Sequence, residues 1–322
     1  MKKILIGLLL IFILILSIGF FYGPTYTFQM ITDYEPFTFD RVLGDSTWMA
    51  EYQIGDRDHP EDYGYENTEE VTFSSLKDNL QLSAWYVPAS QPTDSTIFMI
   101  HGRTSNRLKT MKYLELFKDK GLDTLYNIFI ADMRNSGKSE GASTYMGYKF
   151  AEDIAGGLEF LSNEKNQNHF ILYGFSMGAM ATFTLFGRDD LDASRYDVQK
   201  IIVDSPLTNV DAVLRENADK LGLPDFIFDK AYGNMNEATD NYTGKLKMAP
   251  QINGLDIPIL VLQSNHDRTT PARHTKEQLA NLSDSKISTW FMDSADHVKL
   301  YTHPDYRETY ANKVDTFIRK TF

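Results

Sequence analysis

The segment Leu172–Met180, LYGFSMGAM, places a serine between two glycines in the pattern G-x-S-x-G. The strand-like run HFILYG precedes Ser176, and the helix-like run MGAMATFTLF follows it. In such a strand–turn–helix the hydroxyl projects above the sheet, and the flanking positions need glycine because strand and helix nearly touch. The pattern predicts a nucleophilic Ser176 with Gly174 and Gly178 shaping the turn. A plain Gly-Ser loop is the alternative.

A nucleophilic serine needs a general base, and His297 is the histidine best placed for this role. It follows the last strand-like run and precedes the last helix-like run, downstream of Ser176, as the chain order serine, acid, histidine requires. His169 begins a strand-like run, His274 lies in a helix-like run, and His303 leads into the final helix, so structural roles are expected there. The chain has seven histidines: His59, His101, His169, His266, His274, His297 and His303.

Two aspartates compete to be the acid that orients this histidine. Asp267, in VLQSNHDRTTP, follows one buried strand-like run, and Asp204, in IIVDSP, follows the run before it. Functional loops of open parallel sheets lie at the carboxyl ends of strands, so both positions qualify. We expect Asp267 to orient His297 and to stabilise its imidazolium, whereas Asp204 helps to form the turn into Ser205-Pro206.

The strand end FMIHGRTSN has the features of an oxyanion loop. After His101-Gly102 the backbone bends over the expected position of the serine. The amides of Arg103 and Met177 would then donate two hydrogen bonds to a tetrahedral oxyanion. For the Arg103 side chain two alternatives stay open, contact with an anionic substrate group and a solvated surface position.

These residues fall on a regular alternation of strand-like and helix-like segments between residue 69 and residue 322. Two runs of β-forming residues around Lys77-Asp78-Asn79 predict a hairpin, and short apolar runs then alternate with amphipathic ones. This order predicts an α/β domain whose mainly parallel sheet carries helices on both faces. At about residues 207–250 the alternation lapses into helical, Met- and Phe-bearing sequence, which indicates an inserted cap over an apolar pocket.

Residues 1–22 join two lysines to a long apolar run. ILIGLLLIFILILSIGFFY follows Met1-Lys2-Lys3 and is long enough to cross a bilayer as a helix. Its aromatic end suits a membrane interface, and no A-x-A-like cleavage site ends it. We expect an uncleaved transmembrane signal-anchor in the cell membrane with the catalytic domain extracellular. A cleaved signal and a secreted protein are the alternative. Residues 23–68, rich in Tyr, Asp and Glu, are expected to form a linker and lead-in.

Composition narrows the classes of function. The 322 residues are 42% hydrophobic, which allows a large core, and the net charge of -12 opposes binding to nucleic acid. The chain has no cysteine, which excludes disulfides, thiolate metal sites and a cysteine nucleophile. It also lacks H-E-x-x-H, G-x-x-x-x-G-K and a G-x-G-x-x-G after a strand. We expect no metal, no cofactor and no nucleic-acid partner.

From about residue 70 to residue 322 the chain resembles the α/β-hydrolase superfamily, and within it the single-cap serine hydrolases with an H-G-x-x-x-N oxyanion loop. His101-Gly102-Arg103 with Asn106 resembles that loop, and DMRNSGKSEG resembles the family's D-x-R-G-x-G-x-S-x-G. The resemblance implies the α/β-hydrolase fold with a helical cap insertion, and a triad of Ser176, Asp267 and His297.

Two residues depart from the family pattern. Asn135 stands where the second motif usually has glycine, which is a mild change because asparagine tolerates the left-handed conformation. Asp296 replaces the glycine before the histidine of the triad, where it would affect the charge or the loop of His297.

The resemblance implies a cofactor-independent serine hydrolase that acts on a small-molecule ester or a related acyl compound. Peptidases and acyltransferases of this superfamily use the same parts, and the triad does not separate them. The alternative from another class is a hydrolase-like protein that binds a surface partner without turnover. That alternative is motivated by Asp296 and the unusual cap.

Overall fold

A computed structural model describes residues 19–282 and 286–321. Its strands are β1 Glu69–Ser74, β2 Gln81–Val87, β3 Ser95–Ile100, β4 Asn127–Ala131, β5 His169–Phe175, β6 Asp197–Asp204, β7 Ile259–Ser264 and β8 Ile287–Met292. They form one sheet in the order β1-β2-β4-β3-β5-β6-β7-β8. The β1/β2 and β2/β4 pairs are antiparallel, and all other neighbouring pairs are parallel. The predicted hairpin and the mainly parallel sheet are both present.

Helices connect the strands. The described part of α1 covers residues 19–32. The others are α2 Phe39–Leu43, α3 Ser46–Tyr52, α4 Tyr113–Asp119, α5 Phe150–Glu164, α6 Met177–Gly187, α7 Val210–Lys220, α8 Asp225–Ala238, α9 Met248–Ile252, α10 Ala272–Ala280 and α11 Arg307–Arg319. Helices α7, α8 and α9 lie between β6 and β7 and span the stretch of sequence in which a cap was predicted.

Both faces of the sheet are buried. Along β3, Phe98 and Ile100 belong to the core that includes α5 and α6, whereas Ile97 and Met99 belong to the core that includes α4 and α11. Successive side chains of a strand point to opposite faces, so a sheet covered on both faces needs uninterrupted apolar strands. This explains the continuous apolar runs of the sequence and confirms the predicted α/β class.

The segment of residues 23–68 packs on the domain. Tyr52 and Ile54 are fully buried in the core that contains α4 and α11. The Phe37 carbonyl accepts hydrogen bonds from Asn106 Nδ2 at 2.9 Å and from the Gly137 amide at 2.8 Å. The lead-in therefore supports the loops at the carboxyl ends of β3 and β4.

Most of the predicted membrane anchor, residues 1–18, lies outside the described residues. Residues 19–22 form the described start of α1. Across residues 19–282 and 286–321, no helix combines the length and the apolar character needed to span a membrane.

Candidate active site

Ser176 lies in the turn between β5 and α6 with φ 54° and ψ -116°. A positive φ is uncommon for a residue other than glycine and marks a constrained position. A Cβ on Gly178 would lie 2.3 Å from the Ile100 carbonyl oxygen, and a Cβ on Gly174 would lie 2.8 Å from Ala179 Cα. Close contact between strand and helix therefore requires both glycines, as the motif predicted.

His297 connects Ser176 to Asp267. Its Nε2 lies 2.9 Å from Ser176 Oγ, and its Nδ1 lies 2.8 Å from Asp267 Oδ2. Because a carboxylate only accepts hydrogen bonds, Nδ1 carries the imidazole proton and Nε2 is left to accept the serine proton. The structure brings together the three residues predicted from separate parts of the sequence, in an arrangement that can activate a serine for acyl transfer.

The Asp267 carboxylate is buried and held by its own loop. Its Oδ1 accepts from the amides of Thr269 at 2.8 Å and Thr270 at 2.9 Å. Its Oδ2 lies 3.0 Å from Thr270 Oγ1 and accepts from Gln263 Nε2 at 3.3 Å. These contacts fix the carboxylate in the orientation that aligns the imidazole.

Asp204, the competing acid, is bound by three hydroxyl groups instead. Its Oδ2 accepts from Tyr113 at 2.8 Å and from Tyr310 at 2.7 Å, and its Oδ1 accepts from Ser205 at 2.8 Å. Burial raises the pKa of this carboxyl above its ordinary value. The surroundings give Asp204 a structural role beneath the site.

Two strained residues beside the triad were missed by the sequence analysis. Ser205 has φ 50° and Val298, a β-branched residue, has φ 55°. The Val298 amide donates to Ser205 Oγ at 3.0 Å, and Lys112 Nζ donates to the Val298 carbonyl at 3.1 Å. Burial lowers the pKa of Lys112 to about 7. These contacts hold the loop of His297 in place. No local sequence motif predicts these contacts.

The backbone around Gly102 approaches the serine closely. A Cβ there would lie 2.9 Å from Ser176 Cβ and 3.1 Å from the Phe175 carbonyl oxygen. The amides of Arg103 and Met177, next in chain to Gly102 and Ser176, have no acceptor among the described residues. Both donors are therefore free to bind a developing oxyanion.

His101 stabilises this loop from beneath. Its Nε2 accepts from the Met133 amide at 2.9 Å, so its Nδ1 is the donor to the Gly102 carbonyl at 2.7 Å. Burial lowers the pKa of His101 to about 4, and the imidazole is neutral at pH 7. His101 thus connects the β3 and β4 loops.

The Arg103 side chain contacts the amino-terminal part of the chain. One guanidinium nitrogen donates to the Met30 carbonyl of α1 at 2.5 Å, and the group lies 4.6 Å from the centroid of the Tyr34 ring. The guanidinium is therefore held by the chain itself, and Arg103 also lines the pocket beside Ser176. Arg103 joins the oxyanion loop to α1.

The segment Asp132–Gly141, which follows β4, is joined by ion pairs to α5 and to the turn between β1 and β2. Arg134 forms ion pairs with Asp153 at 2.6 Å and with Asp78 at 2.7 Å. Asn135 has φ 61°, the left-handed conformation that its place in the motif led us to expect.

The exposed Asp296 leaves both hydrogen-bond contacts of the adjacent His297 in place.

A mainly apolar pocket of about 340 Å³ opens beside the serine. Among the described lining residues no side chain is an aspartate or glutamate, and Arg103 is the one with a charge. In the part of the chain that the structure describes, no cluster of His, Asp and Glu is arranged to hold a metal ion. The lining includes Tyr26, Thr27, Met30 and Ile31 of α1, Met146, Leu207, Val213, Leu214, Asn217, Ala218, Leu221, Leu223, Phe228, Thr269 and Thr270.

The sheet order, the serine turn after β5 and the helical insertion after β6 define an α/β-hydrolase fold. Residues 91–240 match the sequence family described as serine aminopeptidase, S33. The esterase Pf2001 of Pyrococcus furiosus superposes with a TM-score of 0.63 at 21% identity, over 82% of this chain and 94% of that chain. The chain has this fold, and the similarities support membership of the α/β-hydrolase superfamily and a hydrolase activity.

Two bacterial proteins are similar over most of the chain. The uncharacterized protein YqkD of Bacillus subtilis is 28% identical over 243 residues, which cover 72% of this chain and 74% of that protein. The uncharacterized protein YfhR of Escherichia coli is 24% identical over 299 residues, which cover 91% of this chain and 85% of that protein.

Proposed function

We propose that the protein is a serine hydrolase that cleaves a carboxylic ester through an acyl-enzyme. The observation that carries this proposal is the hydrogen-bonded series from Ser176 through His297 to Asp267, located at an apolar pocket. The Pyrococcus furiosus protein of the same fold is an esterase, which adds support.

The reaction proceeds in two halves. His297 accepts the Ser176 proton while Oγ attacks the ester carbonyl carbon, and the amides of Arg103 and Met177 stabilise the oxyanion. The carbonyl re-forms as the alkoxide leaves, and His297 donates the proton that releases the alcohol. Water then attacks the acyl-enzyme, giving its proton to His297, and the acid leaves as this proton returns to Ser176. Asp267 stabilises the imidazolium in both halves.

The pocket favours an ester over the substrate of an aminopeptidase. An aminopeptidase must recognise a free ammonium group, for which a nearby carboxylate is the complementary partner. The described lining contains no carboxylate and instead has Arg103 near the nucleophile. An uncharged acyl chain matches these surroundings better. A transferase would use the same acyl-enzyme with an alcohol in place of water.

A fluorophosphonate probe tests the proposal because it labels only an activated serine. The wild-type protein should react at Ser176 and hydrolyse p-nitrophenyl esters. Ser176→Ala should lose both properties, with a fall in kcat of several orders of magnitude, on the order of a millionfold, and little change in Tm. Substantial turnover by Ser176→Ala would reject the assignment, and absence of labelling in the wild type would favour a binding protein without catalysis.

We also propose that residues 1–22 anchor the protein in the cell membrane with the catalytic domain outside. Support comes from the paired lysines before the uncharged apolar run. Protease added to intact cells should then digest the chain beyond Gly23. Release into the medium with a new amino terminus near residue 20 would show a cleaved signal, and a protected domain would show the opposite topology.

A further inference from the structure

Exposed large hydrophobic side chains concentrate at one place on the described surface. Seven of the eight lie on α1 or on the cap, and only Leu125, just before β4, lies elsewhere. Scattered apolar residues are normal on a protein surface, whereas a concentration beside a pocket marks an interaction site. We call these seven residues the apolar rim: Phe20, Phe21, Tyr22, Tyr26, Met30, Leu221 and Phe226.

Three residues of the apolar rim form part of the mouth of the active-site pocket. Tyr26, Met30 and Leu221 are 66%, 52% and 78% exposed, yet all three line the pocket that contains the candidate nucleophile. The Phe20 and Phe226 rings stack with centroids 5.5 Å apart, which joins α1 to the cap across the rim. A molecule that enters the pocket therefore passes between apolar side chains.

The arrangement of α1 indicates what covers this rim. Phe20, Phe21 and Tyr22 end the apolar run predicted to enter a bilayer. Tyr22, Tyr26 and Met30 recur at every fourth position and so share one face of α1. Tyr26 and Met30 lie beyond the run itself, so the anchor alone does not explain their exposure. The same helix thus leads from the predicted anchor directly to the pocket mouth.

The chemistry of the rim fits a lipid bilayer. Tyrosine and phenylalanine are favoured at the boundary between headgroups and acyl chains. The net charge of -12 disfavours recruitment by anionic lipid, so burial of the apolar rim has to supply the contact. A zwitterionic bilayer is sufficient for such a contact.

Resting on the proposed ester hydrolysis, we propose that the apolar rim inserts into the bilayer interface and that the substrate is an amphiphilic long-chain acyl ester. The ester enters the pocket laterally from the membrane. Its acyl chain stays among apolar groups throughout, so it does not pay the free-energy cost of crossing water. Its carbonyl reaches Ser176 while the end of the chain extends back through the mouth.

A tryptophan placed in the rim tests the contact with lipid. Full-length Phe226→Trp and the control Leu125→Trp are reconstituted in phosphatidylcholine vesicles that contain a doxyl-labelled lipid. Phe226 is 49% exposed and Leu125 is 43% exposed, so the two sites are matched in accessibility. We expect a blue shift and quenching for the introduced Trp at position 226, and neither at position 125. Equal quenching at both positions, or none at 226, would overturn the proposal, as would a second protein copy covering the rim.

A serine substitution tests the route of the substrate. Phe226 is outside the pocket lining, so Phe226→Ser should hydrolyse soluble p-nitrophenyl butyrate within about twofold of wild type. On 1-oleoylglycerol in phosphatidylcholine vesicles its kcat/KM should fall about tenfold, since roughly half of a phenylalanine side chain is lost from the bilayer contact. Leu125→Ser should match wild type on both substrates.

The two proposals fail in different ways. If soluble ester hydrolysis does not depend on Ser176, the proposed function is wrong. If it depends on Ser176 but Phe226→Ser and Leu125→Ser hydrolyse the vesicle ester equally well, only the membrane route is wrong.

Discussion

Asp204 and Asp267 show how surroundings decide the role of a side chain. They end or follow the neighbouring parallel strands β6 and β7, yet one is bound by tyrosine and serine hydroxyls and the other by an imidazole. A carboxylate against a histidine sets its tautomer, whereas one enclosed by hydroxyls organises a core. Substitution by asparagine separates the two roles.

Asp267→Asn should lower kcat by a factor on the order of ten thousand, while the fold is retained. The neutral amide does not stabilise the imidazolium, and its NH2 group can donate to Nδ1 of His297, which favours the tautomer that cannot accept the Ser176 proton. The measurement is steady-state hydrolysis of one p-nitrophenyl ester at one pH, with circular dichroism to check the fold.

Asp204→Asn should show the opposite pattern. The amide nitrogen cannot accept a hydrogen bond, so the tyrosine hydroxyls lose part of their shared acceptor, at a cost of about 1–3 kcal/mol in the free energy of unfolding. Turnover of the same ester should change far less than in Asp267→Asn. A larger loss of kcat in Asp204→Asn would mean that the acid has been assigned to the wrong residue.

The lowered pKa of His101 predicts that the protein loses part of its stability in acid. Its pKa is about 4 in the folded protein and 6.5 in an unfolded chain, so between these values the unfolded chain binds more protons. The free energy of unfolding therefore falls as the pH falls through this window, by about 3 kcal/mol in total for this residue. His101→Gln keeps one donor and one acceptor but does not titrate, so its stability should depend less steeply on pH.

Urea denaturation of wild type and His101→Gln at several pH values from 7 to 4.5 gives this difference directly. Other titrating groups contribute equally to both proteins and cancel. Parallel stability curves for the two proteins would show that burial does not depress the titration of His101.

At the scale of elements, the turn between β5 and α6 depends on the space between strand and helix. The contacts that a Cβ on Gly178 would make are with backbone carbonyls of β3 and its loop, which cannot rotate away as a side-chain end can. A glycine on the exposed side of a helix is different, because an added Cβ there contacts no other atom in the folded protein. The same Cβ lowers the conformational entropy of the unfolded chain, which stabilises the folded state.

Gly178→Ala should therefore lose more than about 2 kcal/mol of stability and most activity, because the serine turn has to shift. Gly233→Ala in α8, where nothing lies within 4 Å of the new Cβ, should gain about 0.5–1 kcal/mol. Denaturant midpoints of both variants decide the matter. A stable, active Gly178→Ala protein would contradict the packing described here.

At the scale of the whole molecule, a segment distant in sequence completes the pocket. Helix α1 supplies four lining residues, and the Arg103 guanidinium binds the Met30 carbonyl. The pocket is therefore lined by residues that lie far apart in the sequence. Apolar contacts made equally by bound substrate and transition state affect KM more than kcat.

A chain that starts at residue 33 should accordingly show a higher KM for p-nitrophenyl octanoate than one that starts at residue 19, on the order of fivefold, with kcat little changed. The acetate ester is the control, since its short acyl group stays near Ser176. Equal changes of KM for acetate and octanoate would indicate a general loss of structure rather than a lost pocket wall.

From residue 69 onward, the amino-acid sequence by itself determined the order of strands and helices, the buried character of both sheet faces, and the serine turn. Each of these depends on patterns within a few residues: apolar runs, helical periodicity, and glycines on either side of Ser176. The position of His297 after the last strand also follows from chain order. These patterns are local, so they can be recognised from the sequence without knowledge of the tertiary structure.

Only the tertiary structure decided which aspartate meets His297, where the Arg103 side chain goes, and that α1 forms a wall of the pocket. Asp204 and Asp267 have similar local sequence settings, so their difference arises from the residues that other elements bring beside them. Residues 23–68 are rich in Asp and Glu, yet Tyr52, Tyr63 and Tyr65 of this segment are buried against the domain. Such contacts join segments far apart in the chain, and their free energies depend on distances that local sequence does not contain.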